Sequence, residues 1–386
     1  MRALHLFSNY KWTGPAEPAH ALAAGLHQRG VEVVFRSSGY TKGDARNHVA
    51  ERGAARGLAP LTDLDLSKHR SPWRDWRDAR RLRALVARER FDLVHCHLAN
   101  DTRIARRALA GLATPLVRTV YDTEPARIAR FDWRGLRAAR RVFVFARGVE
   151  GALAAAGVAP ARIVHLEATV DLERFKPEAG GSRRLDSAGS ARRRALGFGP
   201  DDFLAGIVAR VQPQRRFDLL LDAAQRVGRA CPRFRLVVIG RGSKLEAVAR
   251  EPARARGLLD RVVFFPGYFE GADYVDVLRA LDVKLFLVPG TDGTARAVRE
   301  ALACGLPVLC TRRGILPELV RDGVTGRVLD ETPAAFAEAL AALMNEPEAC
   351  RRLGEAARKD AEARFSLARQ VETVAASYRA LLAEAA

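Results

Sequence analysis

Short apolar runs alternate with amphipathic stretches along nearly the whole chain. Five apolar runs in the first half are typical of buried strands: Ala3–Phe7, Val31–Phe35, Phe91–His95, Leu116–Val120 and Val142–Phe145. Stretches with helical periodicity separate them, for example Glu17–Arg29 and Ser71–Arg90. Strands this apolar, joined through helices, predict a parallel sheet with both faces covered.

The same alternation returns in the second half of the chain. It predicts strands at Phe203–Val208, Phe234–Ile239, Val262–Phe265, Val283–Leu287 and Pro307–Thr311. It predicts helices at Phe217–Ala230, Leu245–Arg256, Val275–Leu281 and Ala295–Cys304. Each half therefore has the pattern of a Rossmann-like α/β domain, and such sheets bind ligands beyond the carboxyl ends of their strands.

A segment with neither helical nor strand periodicity separates the two halves. Residues 177–194 are rich in Gly, Ser and Arg, and we predict an exposed linker or insertion there. The expected boundaries are 1–175 for the first domain, 176–200 for the linker and 201–365 for the second domain. With two such domains in one chain, the crevice between them is the expected ligand site.

The composition is that of a folded protein without a membrane span. The 386 residues are 48% hydrophobic, which is enough for a large core. The longest apolar runs are well short of the roughly 20 residues that cross a bilayer. The first residues lead directly into a strand, without the pattern of a signal peptide. Five scattered cysteines lack CxxC spacing, which predicts reduced thiols, no zinc site and a cytoplasmic location.

The net charge of +19 is compatible with two kinds of anionic partner. For nucleic acid, no recognisable binding module occurs, and seven lysines against 57 arginines are typical of a GC-rich genome, so we expect no nucleic-acid partner. For an anionic membrane surface, Lys68–Arg90 is the best candidate, because it places Trp73 and Trp76 among arginines. The alternative for this segment is a solvated helix whose tryptophans pack on the core.

The segment 288–308 carries most of the chemical information. A strand ends in a Gly-rich loop, and a helix begins at Thr294 or Ala295. The backbone N–H groups of such a loop can bind an anion at the helix N-terminus. Asp292 in the loop and Glu300 in the helix add acceptors for hydroxyl groups, a combination that suits a sugar nucleotide. The alternative is an ordinary strand–turn–helix with Asp292 as the N-cap.

The order of motifs resembles the retaining glycosyltransferases of family 4, the group 1 type with the GT-B fold. Their signature is Glu-x7-Glu before an Ala-rich helix, Gly and Pro-Val; Asp292 takes the place of the first Glu, and Glu300 is the second. Further matches cover nearly the full chain in the family's order: Gly14, Asp92–His97, Ala168–Phe175, Arg210, Arg215, Gly267 and 314–326. Phe365–Leu382 resembles the family's C-terminal helix.

The resemblance implies an α/β fold of the GT-B type. Two Rossmann-like domains would face a central cleft with their parallel sheets, and the C-terminal helix, 366–386, would pack back on the first domain. The second domain would hold a nucleoside diphosphate sugar, linked to UDP or GDP. Glu300 would accept hydrogen bonds from the ribose, and Arg210 and Arg215 would neutralise the diphosphate. Because two arginines and a helix N-terminus can replace a divalent cation, we expect no metal and no cofactor.

The resemblance also implies where the sugar and the acceptor bind. Asp292 would position the donor sugar. The residues expected to contact the donor are Gly14, Gly242, Gly267, Gly293, Thr294, Ala295 and Arg296. The first domain would bind the acceptor, a cell-envelope glycan or lipid-linked saccharide at the inner face of the membrane, with His97 and Tyr121 on the acceptor or sugar side. Front-face displacement would retain the anomeric configuration without a side-chain nucleophile.

Five positions depart from the family pattern. Asp292 is one methylene shorter than Glu, and Arg215 has a planar guanidinium where the family has the ammonium of Lys. Tyr121 stands where many members carry a His that touches the donor sugar, and Arg216 stands where the family usually has Gly. Ala168 or Thr169 replaces the Asn of the family's NGVD motif. These departures leave two alternatives open: a non-catalytic nucleotide-sugar-binding protein of the same fold, and a sugar-nucleotide epimerase. A phosphorolytic enzyme would need an inorganic-phosphate site or a pyridoxal-binding lysine, and no lysine lies in an evident cofactor pocket.

Overall fold

The computed structural model describes residues 1–128, 133–178, 188–289 and 295–384. Its backbone contacts group these residues into two compact domains. The first domain comprises residues 1–169 and 367–384, and the second comprises residues 170–289 and 295–366. The second domain thus begins at Val170, whereas the sequence suggested a linker over 176–200.

Six parallel strands form the sheet of the first domain: β1 (Arg2–Phe7), β2 (Glu32–Ser37), β3 (Leu93–Cys96), β4 (Leu116–Val120), β5 (Arg141–Val144) and β6 (Ile163–His165). The spatial order is β2-β1-β3-β4-β5-β6. All five predicted strands are confirmed to within about two residues, and β6 is additional. The strand order reverses between β1 and β3, and sheets of this class bind ligands at that switch point.

The helices of the first domain that precede residue 170 are α1 (Ala16–Gln28), α2 (His48–Ala54), α3 (Pro72–Glu89), α4 (Ala99–Ala108), α5 (Pro125–Ile128), α6 (Trp133–Ala138) and α7 (Glu150–Ala155). Helices α1 and α3 confirm the two amphipathic stretches predicted from the sequence. Helix α3 begins with Pro72, whose fixed φ suits the first helical position. It ends at Glu89, and the cap residue Arg90 has a left-handed φ of 50°.

The second domain contains another sheet of six parallel strands: β7 (Phe203–Val208), β8 (Phe234–Ile239), β9 (Val263–Gly267), β10 (Val283–Phe286), β11 (Val308–Thr311) and β12 (Gly326–Leu329). The order β12-β11-β10-β7-β8-β9 is that of a doubly wound Rossmann sheet, and it reverses between β7 and β10. Predicted strands account for all of these except β12.

The helices of the second domain are α8 (Ala188–Ala195), α9 (Phe217–Ala230), α10 (Glu251–Ala255), α11 (Gly271–Ala280), α12 (Arg296–Ala303), α13 (Leu316–Leu319), α14 (Pro333–Asn345) and α15 (Pro347–Arg364). The predicted helix Leu245–Arg256 is present in two parts, a π-helical turn at Glu246–Arg250 and then α10. Pro252 accounts for the break, because proline has no N–H to continue the hydrogen-bond ladder.

Helix α8 corrects the expectation that residues 177–194 lack regular structure. The described end of this segment is helical and packs on α11. Arg193 points into the domain and forms an ion pair with Asp282, with both side chains less than a tenth exposed. A buried arginine in a core position breaks the apolar period that would have revealed the helix in the sequence.

The last described helix, α16 (Leu367–Ala383), returns to the first domain, as the resemblance implied. It packs on α1 and buries Val371, Val374 and Tyr378. The two helices approach so closely that a Cβ on Gly25 would lie 2.6 Å from Val371 Cγ2. Among the described residues, none of the helices combines the length and the apolar character that crossing a bilayer requires. The five cysteines, all among the described residues, form no disulfide bonds.

Candidate functional site

The carboxyl edge of the second sheet carries the arginines that the sequence assigned to the donor. Arg210 follows β7 and is exposed. Arg215 ends a short 3₁₀ turn, Pro213–Arg215, and its Nη1 donates a hydrogen bond to the carbonyl of Val288, beyond the end of β10. The loops that follow β7 and β10 are therefore joined at the switch point, where ligands of such sheets bind.

The next residue has an unusual backbone conformation. Arg216 has a φ of 58°, in the region that favours glycine, and the family usually carries glycine there. Its guanidinium pairs with Asp218 at 3.3 Å and with Glu331 at 3.2 Å. These two carboxylates compensate the charge of the Arg216 guanidinium.

Glycines allow the loops at this edge to pack closely. A Cβ on Gly242 would lie 2.4 Å from the Val211 carbonyl oxygen, and a Cβ on Gly240 would lie 2.0 Å from that of Ala209. Gly267 has a φ of 103° at the end of β9, with open space where a Cβ would lie. Gly240 and Gly242 thus have a structural reason to be glycine, and Gly267 adopts a backbone conformation that side chains disfavour.

Glu300 is held in place just beyond the first turn of α12. The residue is only 8% exposed, and Oε2 accepts a hydrogen bond of 2.7 Å from the Tyr274 hydroxyl. Burial, and then the Glu300 charge, hold the pKa of Tyr274 well above its usual value, so the hydroxyl remains a donor. Arg296 Nε lies 3.7 Å from Oε1. The geometry leaves a fixed carboxylate for a ligand that donates hydrogen bonds.

The loop before α12 is only partly described. Asp292, Gly293 and Thr294 lie outside the described residues. Helix α12 begins at Arg296, and its N-cap is Ala295, with a φ of 46° and no side-chain cap. The alternative in which Asp292 caps the helix concerns a residue outside the described ones. Within the described residues, the cap position is Ala295, and no side chain caps the helix there.

Lys284 is a titratable residue near Glu300 that the sequence reasoning missed. It lies in β10, its side chain is fully buried, and its Nζ has no hydrogen-bond partner among the described residues. Burial lowers its pKa well below the usual value, and the Glu300 carboxylate opposes that shift. The signal in the sequence was a single lysine within the apolar run 283–287.

In the first domain, the loop after β1 lies at the switch point. Gly14 is exposed in the turn that precedes α1. The start of this loop is fixed by Asp101, whose carboxylate accepts hydrogen bonds from the backbone N–H of Ser8 at 3.0 Å and of Leu98 at 2.9 Å. Burial raises the pKa of Asp101 to about 6. The loop thus has a rigid base and an exposed glycine at its tip.

His97 and Tyr121 are buried next to each other, and His97 Nδ1 lies 2.8 Å from the Tyr121 hydroxyl oxygen. Other buried polar groups continue this contact: His5, His95, Thr119 and Tyr378. The three histidines are the one group in the described part of the chain with the spacing of a metal site. Every ring nitrogen of these histidines already has a protein partner, which favours a hydrogen-bond network over a metal centre.

Two family models match the chain, one over each domain. Residues 14–174 match "Glycosyltransferase Family 4", and residues 190–360 match "Glycosyl transferases group 1". A D-inositol 3-phosphate glycosyltransferase from Saccharomonospora viridis is 32% identical over 77% of this chain and 67% of that protein. One from Segniliparus rotundus is 35% identical over 58% of this chain, but the match spans only 48% of that relative.

Solved structures share the fold. The Anabaena protein Alr3699/HepE, crystallised with UDP, superimposes with a TM-score of 0.79 at 18% identity. The match covers 98% of this chain and all of that one. At this identity the similarity concerns the fold, and it confirms the architecture that the sequence implied.

Proposed function

Because the chain belongs to the group 1, family 4 glycosyltransferases, we propose that it transfers a sugar from a nucleoside diphosphate sugar to a hydroxyl group, with retention of configuration. The observation that carries the proposal is the buried Glu300 carboxylate, which Tyr274 fixes just beyond the first turn of α12. A carboxylate in this position suits the two hydroxyls of a ribose.

We assign the other interactions of such a reaction to the residues that the family's motifs single out in the sequence. Arg210 and Arg215 neutralise the diphosphate and stabilise the charge that develops on the leaving group. Asp292 and the backbone of residues 293–296 position the donor sugar. The acceptor hydroxyl attacks from the face that the diphosphate leaves, and its proton passes to the departing phosphate oxygen. No metal and no cofactor takes part in the proposed reaction.

For the donor, we propose a uridine or guanosine diphosphate sugar. UDP is the first choice, because the structurally similar Anabaena protein was crystallised with UDP. For the acceptor, we propose a cell-envelope glycan or a lipid-linked saccharide. D-Inositol 3-phosphate is a second candidate, since it appears in the names of the relatives.

Thermal unfolding against UDP, GDP, ADP, CDP and dTDP tests the donor site. A nucleotide at a hundred times its Kd adds about 2.7 kcal/mol to the unfolding free energy, which is a shift of several degrees. We expect UDP or GDP to stabilise the wild type with and without EDTA, and to fail on Glu300→Ala. The matched control is Glu338→Ala, since Glu338 is exposed on α14. Stabilisation that needs a metal, or that survives Glu300→Ala, would contradict the proposal.

Product analysis separates the transferase from the two alternatives. A transferase converts donor and acceptor to a glycoside of retained configuration and releases the nucleoside diphosphate. An epimerase changes the sugar without an acceptor, and a binding protein changes neither. We expect release of UDP or GDP to depend on the acceptor and to be lost in Glu300→Ala.

Helix α3 supports a peripheral location at the inner face of the membrane. Trp73 and Trp76 are 70% and 46% exposed, and their rings stack at 5.2 Å. The alternative from the sequence had these tryptophans pack on the core together with Leu82, Leu85 and Val86. It is confirmed for Leu82, Leu85 and Val86, which are buried, and wrong for the two tryptophans. Exposed tryptophans on an arginine-rich helix are typical of a surface that enters the headgroup region of anionic lipid.

Vesicle binding tests this location. We expect sedimentation with vesicles that contain anionic phosphatidylglycerol, and no sedimentation with pure phosphatidylcholine. Replacing Trp73 and Trp76 by alanine should weaken binding, whereas Trp133→Ala, at another exposed tryptophan, should leave it unchanged. Equal binding of the wild type and the double variant would exclude α3 as the contact surface.

A further inference from the structure

Six buried polar groups in the first domain are connected in single file. Thr119 Oγ1 lies 2.6 Å from His95 Nε2, and His95 Nδ1 contacts the Tyr378 hydroxyl. That hydroxyl lies 3.2 Å from His5 Nε2, and His5 Nδ1 lies 3.0 Å from His97 Nε2. His97 Nδ1 then reaches the Tyr121 hydroxyl at 2.8 Å. The file runs through β4, β3, α16 and β1, and it returns to the residue after β4.

The histidines in this file are neutral. Burial lowers the pKa of His5 to about 3, and it holds the pKa values of His95 and His97 well below their usual value. A neutral imidazole has one N–H donor and one acceptor nitrogen, and a hydroxyl has one donor. Each imidazole therefore donates on one side and accepts on the other. The Tyr378 hydroxyl is fully buried and has His95 and His5 as its partners among the described residues, so it donates its proton to one of them and accepts from the other. The hydrogen bonds therefore all run in the same direction. All three histidines therefore share one tautomer.

Thr119 sets the direction. Its hydroxyl has His95 Nε2 as its one hydrogen-bond partner among the described residues, and the side chain is fully buried. A buried hydroxyl proton without an acceptor is costly, so Thr119 donates to His95. His95 Nδ1 then donates to Tyr378, Tyr378 to His5, His5 Nδ1 to His97, and His97 Nδ1 to the oxygen of Tyr121.

This direction leaves one proton unassigned at the end of the file. Tyr121 accepts from His97, and its own hydroxyl proton has no acceptor in the part of the chain that the structure describes. Tyr121 follows directly after β4, at the carboxyl edge where such sheets bind ligands. Its ring stacks on Phe145, with centroids 5.4 Å apart, which fixes the orientation of the hydroxyl.

We propose that the file holds all three histidines as Nδ1–H tautomers and thereby fixes Tyr121 as a hydrogen-bond donor to an oxygen of the bound saccharide. His5, His95 and Tyr378 are positioning residues, and they connect α16 to the ligand end of the first sheet. The identity of the ligand as a saccharide rests on the proposed function, whereas the tautomers do not depend on it.

Long-range ¹H–¹⁵N NMR on protein labelled at histidine nitrogen tests the tautomers in the ligand-free state at pH 7. We expect Nδ1–H for His5, His95 and His97, although free histidine in water favours Nε2–H. Tyr378→Phe keeps the ring and removes the central link. At least one of the three histidines should then take up the Nε2–H form. An Nε2–H or protonated imidazole among the three in the wild type would overturn the proposal.

Kinetics test the ligand end. Tyr121→Phe should lower kcat/KM by roughly 3- to 10-fold, the effect of one neutral hydrogen bond. Tyr378→Phe should lower kcat/KM by a smaller factor. Its effect should appear in the same constant, kcat or KM, that Tyr121→Phe changes. Tyr40→Phe is the control outside the file and should leave both unchanged. If the NMR result holds but Tyr121→Phe retains full kcat/KM, the ligand contact is refuted while the transferase proposal stands.

Discussion

Replacing Lys284 by methionine is expected to make the second domain more stable at neutral pH. The amine is fully buried in β10 and has no hydrogen-bond partner among the described residues. Burial holds its pKa well below 10.5, and Glu300 offsets this shift only in part. Folding of the wild type costs free energy because the lysine amine must lose its proton to be buried. Methionine has a similar length but no amine, so the variant does not bear this cost.

The magnitude follows from proton binding in the two states. In the unfolded chain this lysine is protonated below pH ~10.4, whereas in the folded domain it stays neutral until the pH falls to its lowered pKa. Over this window each pH unit therefore removes about 1.4 kcal/mol from the unfolding free energy of the wild type. The unfolding free energy of the wild type is thus highest above the unfolded pKa of this lysine, and it decreases as the pH falls. Between pH 9 and pH 7 the advantage of Lys284→Met should therefore grow, by about 1.4 kcal/mol for each pH unit that lies above the lowered pKa.

Urea unfolding at both pH values, followed by far-UV circular dichroism, measures this difference. All four tryptophans lie in the first domain, so tryptophan fluorescence follows that domain separately and should not respond to the substitution. Lys359→Met, on the exposed side of α15, is the matched control and should not change stability. An advantage that is equal at both pH values, or a Lys284→Met variant less stable than the wild type at pH 7, would refute the reasoning.

Three further predictions concern stability. Arg193→Met should cost the second domain about 3–5 kcal/mol, because it leaves the Asp282 carboxylate buried without its cation; Arg192→Met, at a more exposed pair, should cost less than about 1 kcal/mol in the same urea titration. Gly257→Ala should cost about 1–2 kcal/mol of unfolding free energy because of its positive φ alone. Gly240→Ala should cost more, because its Cβ would also collide with the Ala209 carbonyl oxygen. Equal costs for the two variants would contradict this close approach of the loops. Below pH 6.5 the first domain should lose up to about 4 kcal/mol per pH unit, because three buried histidines with lowered pKa values bind protons only when unfolded. Tryptophan fluorescence in an acid titration measures this loss, and the histidine-free second domain provides the comparison.

The periodicity of apolar residues predicted most of both sheets, because parallel strands buried on both faces are apolar at nearly every position. The helix Phe217–Ala230 and the strand Phe234–Ile239 agree with the structure to the residue. Strand β6 was missed because its residues are half-buried and carry little apolar signal. Helix α8 was missed because a buried ion pair replaces an apolar contact there.

The candidate site was predictable only where a motif carried it. Glu300 was found from its spacing to Asp292 and from the helix and glycine that follow. Tyr274 lies 26 residues from Glu300, and no local pattern connects the two. The role of Tyr378 was equally invisible, since its partners His5 and His95 are far away in sequence. Contacts between distant positions depend on the fold, and a single sequence does not display them.

The return of α16 to the first domain has a consequence for folding during synthesis. Helix α16 covers α1, but the ribosome makes the entire second domain before it makes α16. Until α16 is synthesised, the nascent first domain therefore exposes the apolar face of α1, and its histidine network lacks Tyr378. Contacts this distant in sequence also slow folding, because the intervening chain must first be ordered. The domain that is translated first should thus be the last to reach its native state.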